Sequence, residues 1–246
     1  MSAAPEQAAA VVALVAARDE EGSIGETVRA LARLPNVTRV VVADDGSKDA
    51  TASIASAAGA DVLRGGRSRG KGSVLEGALR RLPPARVWLL ADGDLGVTAA
   101  ELAPVIATVL AGEADLAIAL PPPQGGGFGL VKRAAGAAIR WLCGFRATAP
   151  LSGQRALTGA AMRAVRPLAP GFGVETAMTV DAVRAGMTVV EVPAPLRHRP
   201  TGRDVAGFAH RARQGIDIAA AVVWRIRVRS RLPERGPTPG RERFDR

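Results

Sequence analysis

The sequence is short of the residues from which several kinds of site are built. It has one cysteine, Cys143, so an internal disulfide and a multi-cysteine metal site are both excluded. A lone thiol agrees with a reducing compartment. Tyrosine is absent and aromatic residues make up 3% of the chain. That is too few for a platform on which bases stack, so nucleic acid is not expected as a partner. No apolar run reaches the roughly 20 residues that cross a bilayer. The stretch "AAAVVALVAA" (8–17) has no basic leader and runs directly into "RDEE" (18–21), so it reads as a buried strand and not as a signal peptide. The expected location is the cytoplasm, free or peripheral on the inner face of the membrane. Lysine occurs only at Lys48, Lys71 and Lys132.

What is present is apolar residue and arginine. Hydrophobic residues are 48% of 246, enough for one domain with a substantial core. Net charge is +10, nearly all from arginine. The excess concentrates after Arg197, where arginines are many and acids few. Such a tail suits an anionic partner, either a phosphorylated substrate or a phospholipid surface.

The pattern along the chain alternates between strand and helix. "VVALVAA" (11–17), "TRVVVAD" (38–44), "ADVLR" (60–64), "ARVWLLAD" (85–92), "ADLAIAL" (114–120) and "MTVVEVP" (187–193) read as strands. The first is a continuous apolar run, as expected of a strand covered on both faces. Helices are expected over 23–34, 49–59, 70–82, 99–112, 130–145 and 173–186, with Pro104 in the first turns of the fourth or kinking it. This order predicts an α/β fold, a mainly parallel central sheet covered by helices. The expected organisation is a disordered 1–9, a domain over 10–203, a basic helical segment over 204–232 and a disordered tail over 233–246.

Polar residues gather where strands end. The first strand runs into "RDEE", the second into "DDGS" (44–47), the fourth into "DGD" (92–94). In open α/β sheets ligands bind at the carboxyl ends of strands. Lys71 opens a helix after "RGGRSRG" (64–70), a basic glycine-rich loop. Taken singly, "DDGS" reads as a turn with a helix cap, and Asp-x-Asp is common. Together, paired carboxylates beside a basic loop suit a nucleoside diphosphate with its divalent metal, Mg²⁺ or Mn²⁺. "PPPQGGGFG" (121–129) reads as a loop, a candidate lid over the reacting centre.

These stretches resemble family 2 glycosyltransferases of the GT-A fold. "AARDEE" (16–21), "VVADDGSKDAT" (41–51), "RGKGSVLEGAL" (69–79), "LLADGDLG" (89–96), "LSGQRAL" (151–157) and "GFGVETAMTVDAVRAG" (171–186) follow the family's motifs in order, over about residues 10–200. The chain is most similar to the polyprenyl-phosphate sugar synthases, and its "GFGVE…RHR" region is also similar to glucosyl-3-phosphoglycerate synthases.

The resemblance implies roles. Ala17, Glu20, Asp44 and Asp45 would hold the nucleoside of the donor, and Lys71 would lie near the nucleotide. Asp92 and Asp94 would face the ribose and the metal, with Asp94 central to catalysis. Glu175 would sit near the acceptor. Ser152, Arg155, Arg199 and Arg203 are candidates for acceptor or phosphate binding, and His198 for a further metal ligand. Two positions depart from the lipid-linked branch: Gly96 and Ala149 stand where a glutamine and an aspartate are usual. The expected reaction moves a hexose from a nucleoside-diphosphate sugar to a polyprenyl phosphate. The alternatives are a small soluble phosphorylated acceptor, nucleotidyl transfer, or a module that binds the nucleotide-sugar without turnover. The stretch 207–232, apolar in its middle and flanked by arginines, is the candidate helix for an anionic membrane surface.

Overall fold

The computed structural model describes residues 11–122 and 129–196. Seven strands form one sheet: β1 Val11–Ala17, β2 Val37–Asp44, β3 Asp61–Arg64, β4 Val87–Asp92, β5 Leu116–Leu120, β6 Arg155–Thr158 and β7 Val189–Pro193. Their spatial order is β3-β2-β1-β4-β6-β5-β7. All neighbours are parallel except β6, which runs antiparallel to both β4 and β5. The helices are α1 Ile24–Ala32, α2 Thr51–Ala57, α3 Lys71–Leu79, α4 Ala103–Leu110, α5 Gly129–Cys143, α6 Gly159–Ala164 and α7 Val174–Arg184.

The sheet is covered on both faces, which explains why its central strands are apolar throughout. Val11, Ala13, Val15 and Ala17 of β1 face one side, where Ile24, Val28 and Leu31 of α1 and Val105 and Ile106 of α4 complete the core. Leu14 faces the other side with Leu75 and Leu79 of α3, Met162 of α6 and Met178 of α7.

Two expectations are refined. The helix expected over 99–112 is two pieces: a 3-10 helix, Gly96–Leu102, and then α4. Pro104 stands in the first turn of α4, where its missing N–H costs no hydrogen bond. Strand β6 and helix α6 lie in a stretch with no strand or helix expected from the sequence. Strand β6 is four residues long and begins with a buried arginine, so it lacks the apolar run by which the other central strands are recognised.

The order of strands reverses beside β1, and this creates the crevice in which such sheets bind ligands. Strand pairing levels the acidic ends there. Ala16 of β1 pairs with Asp92, and Ala17 pairs with Asp44. Two further bonds carry this alignment past the strands: Asp45 N donates to Ala17 O at 2.9 Å, and Gly93 N to Ala16 O at 3.0 Å. Because β6 is antiparallel, its first residue and not its last lies at this edge. It therefore brings "LSGQR" (151–155) to the same rim.

Candidate active site

Asp92 is the last residue of β4, and Lys71 is the first residue of α3. The Lys71 ammonium stands 2.5 Å from Asp92 Oδ1 and 2.8 Å from Glu175 Oε1, with its side chain 15% exposed. Burial alone would lower the lysine pKa. The charges of Asp92 and Glu175 outweigh it and hold the group above the ordinary lysine range. Lys71 is therefore a fixed cation across the neutral range.

Gln154 donates to the other oxygen of Asp92, Nε2 to Oδ2, at 2.7 Å. The interactions continue into a closed circuit. Ser152 Oγ donates to Gln154 Oε1 at 3.4 Å, and Arg155 Nε donates to Ser152 O at 2.8 Å. Arg155 also donates through one terminal nitrogen to Thr179 Oγ1 at 2.8 Å, and Thr179 donates to the backbone oxygen of Glu175 at 3.0 Å. Glu175 then returns to Lys71. The circuit joins α3, β4, β6 and α7 through residues far apart in the sequence.

Glu175 lies in the first turn of α7 and is 6% exposed, where the positive end of the helix favours a carboxylate. Arg155 is 1% exposed, and its second terminal nitrogen has no hydrogen-bond partner among the described residues. Burial draws its pKa down to about 10, against the pull of Glu175 and Glu191. It braces the site from inside.

Glycine is required at two close approaches. A Cβ on Gly153 would overlap Lys71 Nζ and Asp92 Oδ2, and one on Gly72 would overlap Ala169 O. Both permit α3 to lie tight against the rim.

On the donor side, the carboxylates of "DDGS" organise backbone. Asp45 accepts from Ser68 Oγ at 2.7 Å, Arg69 N at 2.8 Å and Gly70 N at 3.0 Å, which folds the basic loop onto the strand ends. Asp44 accepts from Ser47 N at 3.0 Å, and Arg64 lies 3.5 Å from it. Glu20 is half-buried; its N–H donates to Thr51 Oγ1 at 2.7 Å, and its carboxylate accepts from Ser23 Oγ at 3.2 Å. Ala17 is buried in the rim between them. Asp94 sits in the turn after β4 and is partly exposed.

The structure thus brings Ala17, Glu20, Asp44, Asp45, Lys71, Asp92, Asp94, Ser152, Arg155 and Glu175 to one edge of the sheet. His198, Arg199 and Arg203 lie outside the described residues, as do the helix expected over 204–232, both terminal segments and residues 123–128 of the candidate lid. Sequence reasoning missed Gln154, Thr179 and Glu191. Glu191 of β7 accepts from Thr148 N at 3.0 Å and Ala149 N at 2.6 Å, anchoring the segment before the rim. Gln154 sits inside the recognised "LSGQRAL" stretch, and its position there was the one available signal.

Among the described residues no three potential metal ligands converge. The carboxylates of Asp92 and Asp94 would suit a hard divalent ion that takes few of its ligands from the protein. Magnesium is usually held by one or two carboxylates, with substrate phosphates and water supplying the remaining oxygens.

A sheet of this order, with acidic strand ends and a basic loop at its switch point, has the architecture of the GT-A fold. The model of glycosyl transferase family 2 matches residues 12–163, more than half of the chain. The chain belongs to that family. No curated protein matches the sequence significantly.

Solved structures do match. A mycobacterial protein is 27% identical with a TM-score of 0.75, over 88% of this chain and 74% of that one. Glucosyl-3-phosphoglycerate synthase from Mycobacterium tuberculosis, in complex with phosphoglyceric acid, is 26% identical with a TM-score of 0.74, over 94% and 84%. The same synthase with Mn²⁺, uridine diphosphate and glucosyl-3-phosphoglycerate is 25% identical with a TM-score of 0.72, over 88% and 82%.

Proposed function

We propose that this enzyme transfers glucose from uridine-diphosphate-glucose to a small phosphorylated acceptor, assisted by Mg²⁺ or Mn²⁺. The observation that carries the reading is the pair of carboxylates, Asp92 and Glu175, held by one partly buried lysine at the switch point of the sheet. The similar synthase, bound to phosphoglyceric acid and to uridine diphosphate with Mn²⁺, supports a soluble acceptor over the polyprenyl phosphate expected from sequence.

In this reading Ala17, Glu20, Asp44 and Asp45 shape the nucleoside pocket. Asp92 faces the ribose, and Asp94 holds the metal, with His198 a candidate for a further position. The metal, when bound, offsets negative charge as it grows on the leaving diphosphate. Lys71 supplies a second fixed positive charge on that side. It also bridges Asp92 and Glu175 and offsets the repulsion between them. Glu175 faces the acceptor and orients its hydroxyl; a carboxylate so placed can take the hydroxyl proton. Arg199 and Arg203 are proposed to hold the acceptor phosphate, with Ser152 at the same rim. Arg155, being buried, is assigned to aligning Ser152 and Thr179.

The test is a screen of nucleotide-sugars against 3-phosphoglycerate, glycerol 3-phosphate and a polyprenyl phosphate, with and without metal, reading products by mass spectrometry. Metal-dependent release of uridine diphosphate with a glucosylated phosphorylated acceptor is expected. Transfer confined to polyprenyl phosphate would overturn the acceptor assignment. Release of pyrophosphate would instead mark nucleotidyl transfer.

A further inference from the structure

Helix α5 buries one face and presents the other to solvent. Ala135, Ile139 and Leu142 are buried, and Ile139 and Leu142 pack with Val180 of α7. Around the rest of the helix Lys132, Arg133, Ala137, Arg140 and Trp141 are exposed. Trp141 is 72% exposed, whereas Trp88 in β4 is 4% exposed. An open groove of about 750 Å³ lies beside it, with Gly136, Ala137, Arg140, Trp141 and Arg146 in its lining.

Within the segment itself the charge has one sign, although Asp181 of α7 stands near Cys143. From Gly129 to Pro150 there are four cations, Lys132, Arg133, Arg140 and Arg146, and no acid. None of the four makes an ion pair among the described residues. Glu191, which reaches this segment from β7, is already engaged by the N–H groups of Thr148 and Ala149.

We propose that this face of α5 docks the enzyme on an anionic phospholipid bilayer, a headgroup phosphate seating between Arg140 and Arg146 with Trp141 at the headgroup level. Guanidinium groups match phosphate oxygens in a planar fork. Indole rings settle at the boundary between headgroups and acyl chains. Within α5 the cations Lys132, Arg133 and Arg140 spread over roughly 12 Å of helix, and Arg146 follows just past its end.

Other occupants fit less well. The chain beyond Leu196 carries 13 arginines against five acids, so it does not supply the negative charge that this face calls for. A second copy would bring the same cations to it. A protein partner usually needs an apolar centre around its anchoring aromatic residue, and Trp141 is surrounded by glycine, alanine and arginine. The docking does not depend on which acceptor is used.

The experiment uses the full chain with phosphatidylcholine vesicles, alone and with about one-third phosphatidylglycerol. Flotation with the acidic vesicles only, abolished by raised salt, is expected. A cation near such a surface contributes roughly a fivefold gain in partitioning, so Arg133→Glu with Arg140→Glu should weaken binding on the order of a hundredfold or more. Arg227→Glu with Arg229→Glu, an equal change in net charge, should weaken it much less. Brominated acyl chains should quench tryptophan fluorescence in the parent and less so in Trp141→Phe. Uridine diphosphate binding should stay unchanged in all of these variants. The proposal is overturned by absence of binding to acidic vesicles, by equal loss in the two double variants, or by quenching that Trp141→Phe leaves intact. Tight capture of polyglutamate without lipid quenching would overturn it in favour of an acidic protein.

Discussion

At the scale of single residues, the site depends on one lysine serving two acids. With Lys71→Met, Asp92 and Glu175 lose their shared cation and repel each other across the space it held. Transfer is expected to fall by about a hundredfold or more, and Lys71→Arg should restore part of it. Parent activity in folded Lys71→Met would refute the arrangement. Asp94→Ala should nearly abolish metal-dependent transfer while the thermal melt stays close to that of the parent; retained metal-dependent turnover in the folded variant would remove Asp94 from the metal site. Gly153→Ala tests packing in place of charge. Its methyl would overlap both Lys71 Nζ and Asp92 Oδ2, so transfer should drop although no charge is altered. Wild-type activity in Gly153→Ala would show that the pair is not held as tightly as described.

At the scale of elements, α3 is fixed to the segment after α6 by one carboxylate. Glu76 accepts from Arg166 Nε at 3.1 Å, from its terminal nitrogen at 2.9 Å and from Leu168 N at 3.2 Å, with Arg80 at 3.1 Å on the same helix. Burial would raise its pKa, but these bonds outweigh burial and hold it below the ordinary value. The folded pKa is thus below the unfolded one. The stabilisation is complete above the unfolded value of about 4.3 and is lost as pH falls through the folded one. Glu76→Gln should therefore cost about 1–3 kcal/mol at pH 7, with the gap to the parent closing toward pH 3. Urea unfolding at the two pH values measures it. A gap of constant size would show that shape, and not charge, is responsible.

At the scale of the whole molecule, the described sheet closes at β7, and no helix among the described residues is long and apolar enough to cross a membrane. The domain boundary near residue 203 stands as a proposal. A fragment spanning 10–203 should unfold cooperatively and bind uridine diphosphate with metal, as calorimetry would show. Failure to fold would mean that the arginine-rich segment beyond it contributes to the core.

The sequence by itself determined six of the seven strands and the acidic residues at the ends of β1, β2 and β4. Continuous apolar runs such as Val11–Ala17 and Val87–Asp92 carry that information locally, because a strand buried on both faces tolerates little else. The tertiary structure decided everything that needs two distant segments to meet. It inserted β6 antiparallel between β4 and β5, which turned Gln154 toward Asp92 and sealed Arg155 inside. It also gave Lys71 two partners, one 21 and one 104 positions along the chain. Periodicity records which face of an element is buried. It does not record which strand lies beside which, and here the pairing of strands is what assembles the site.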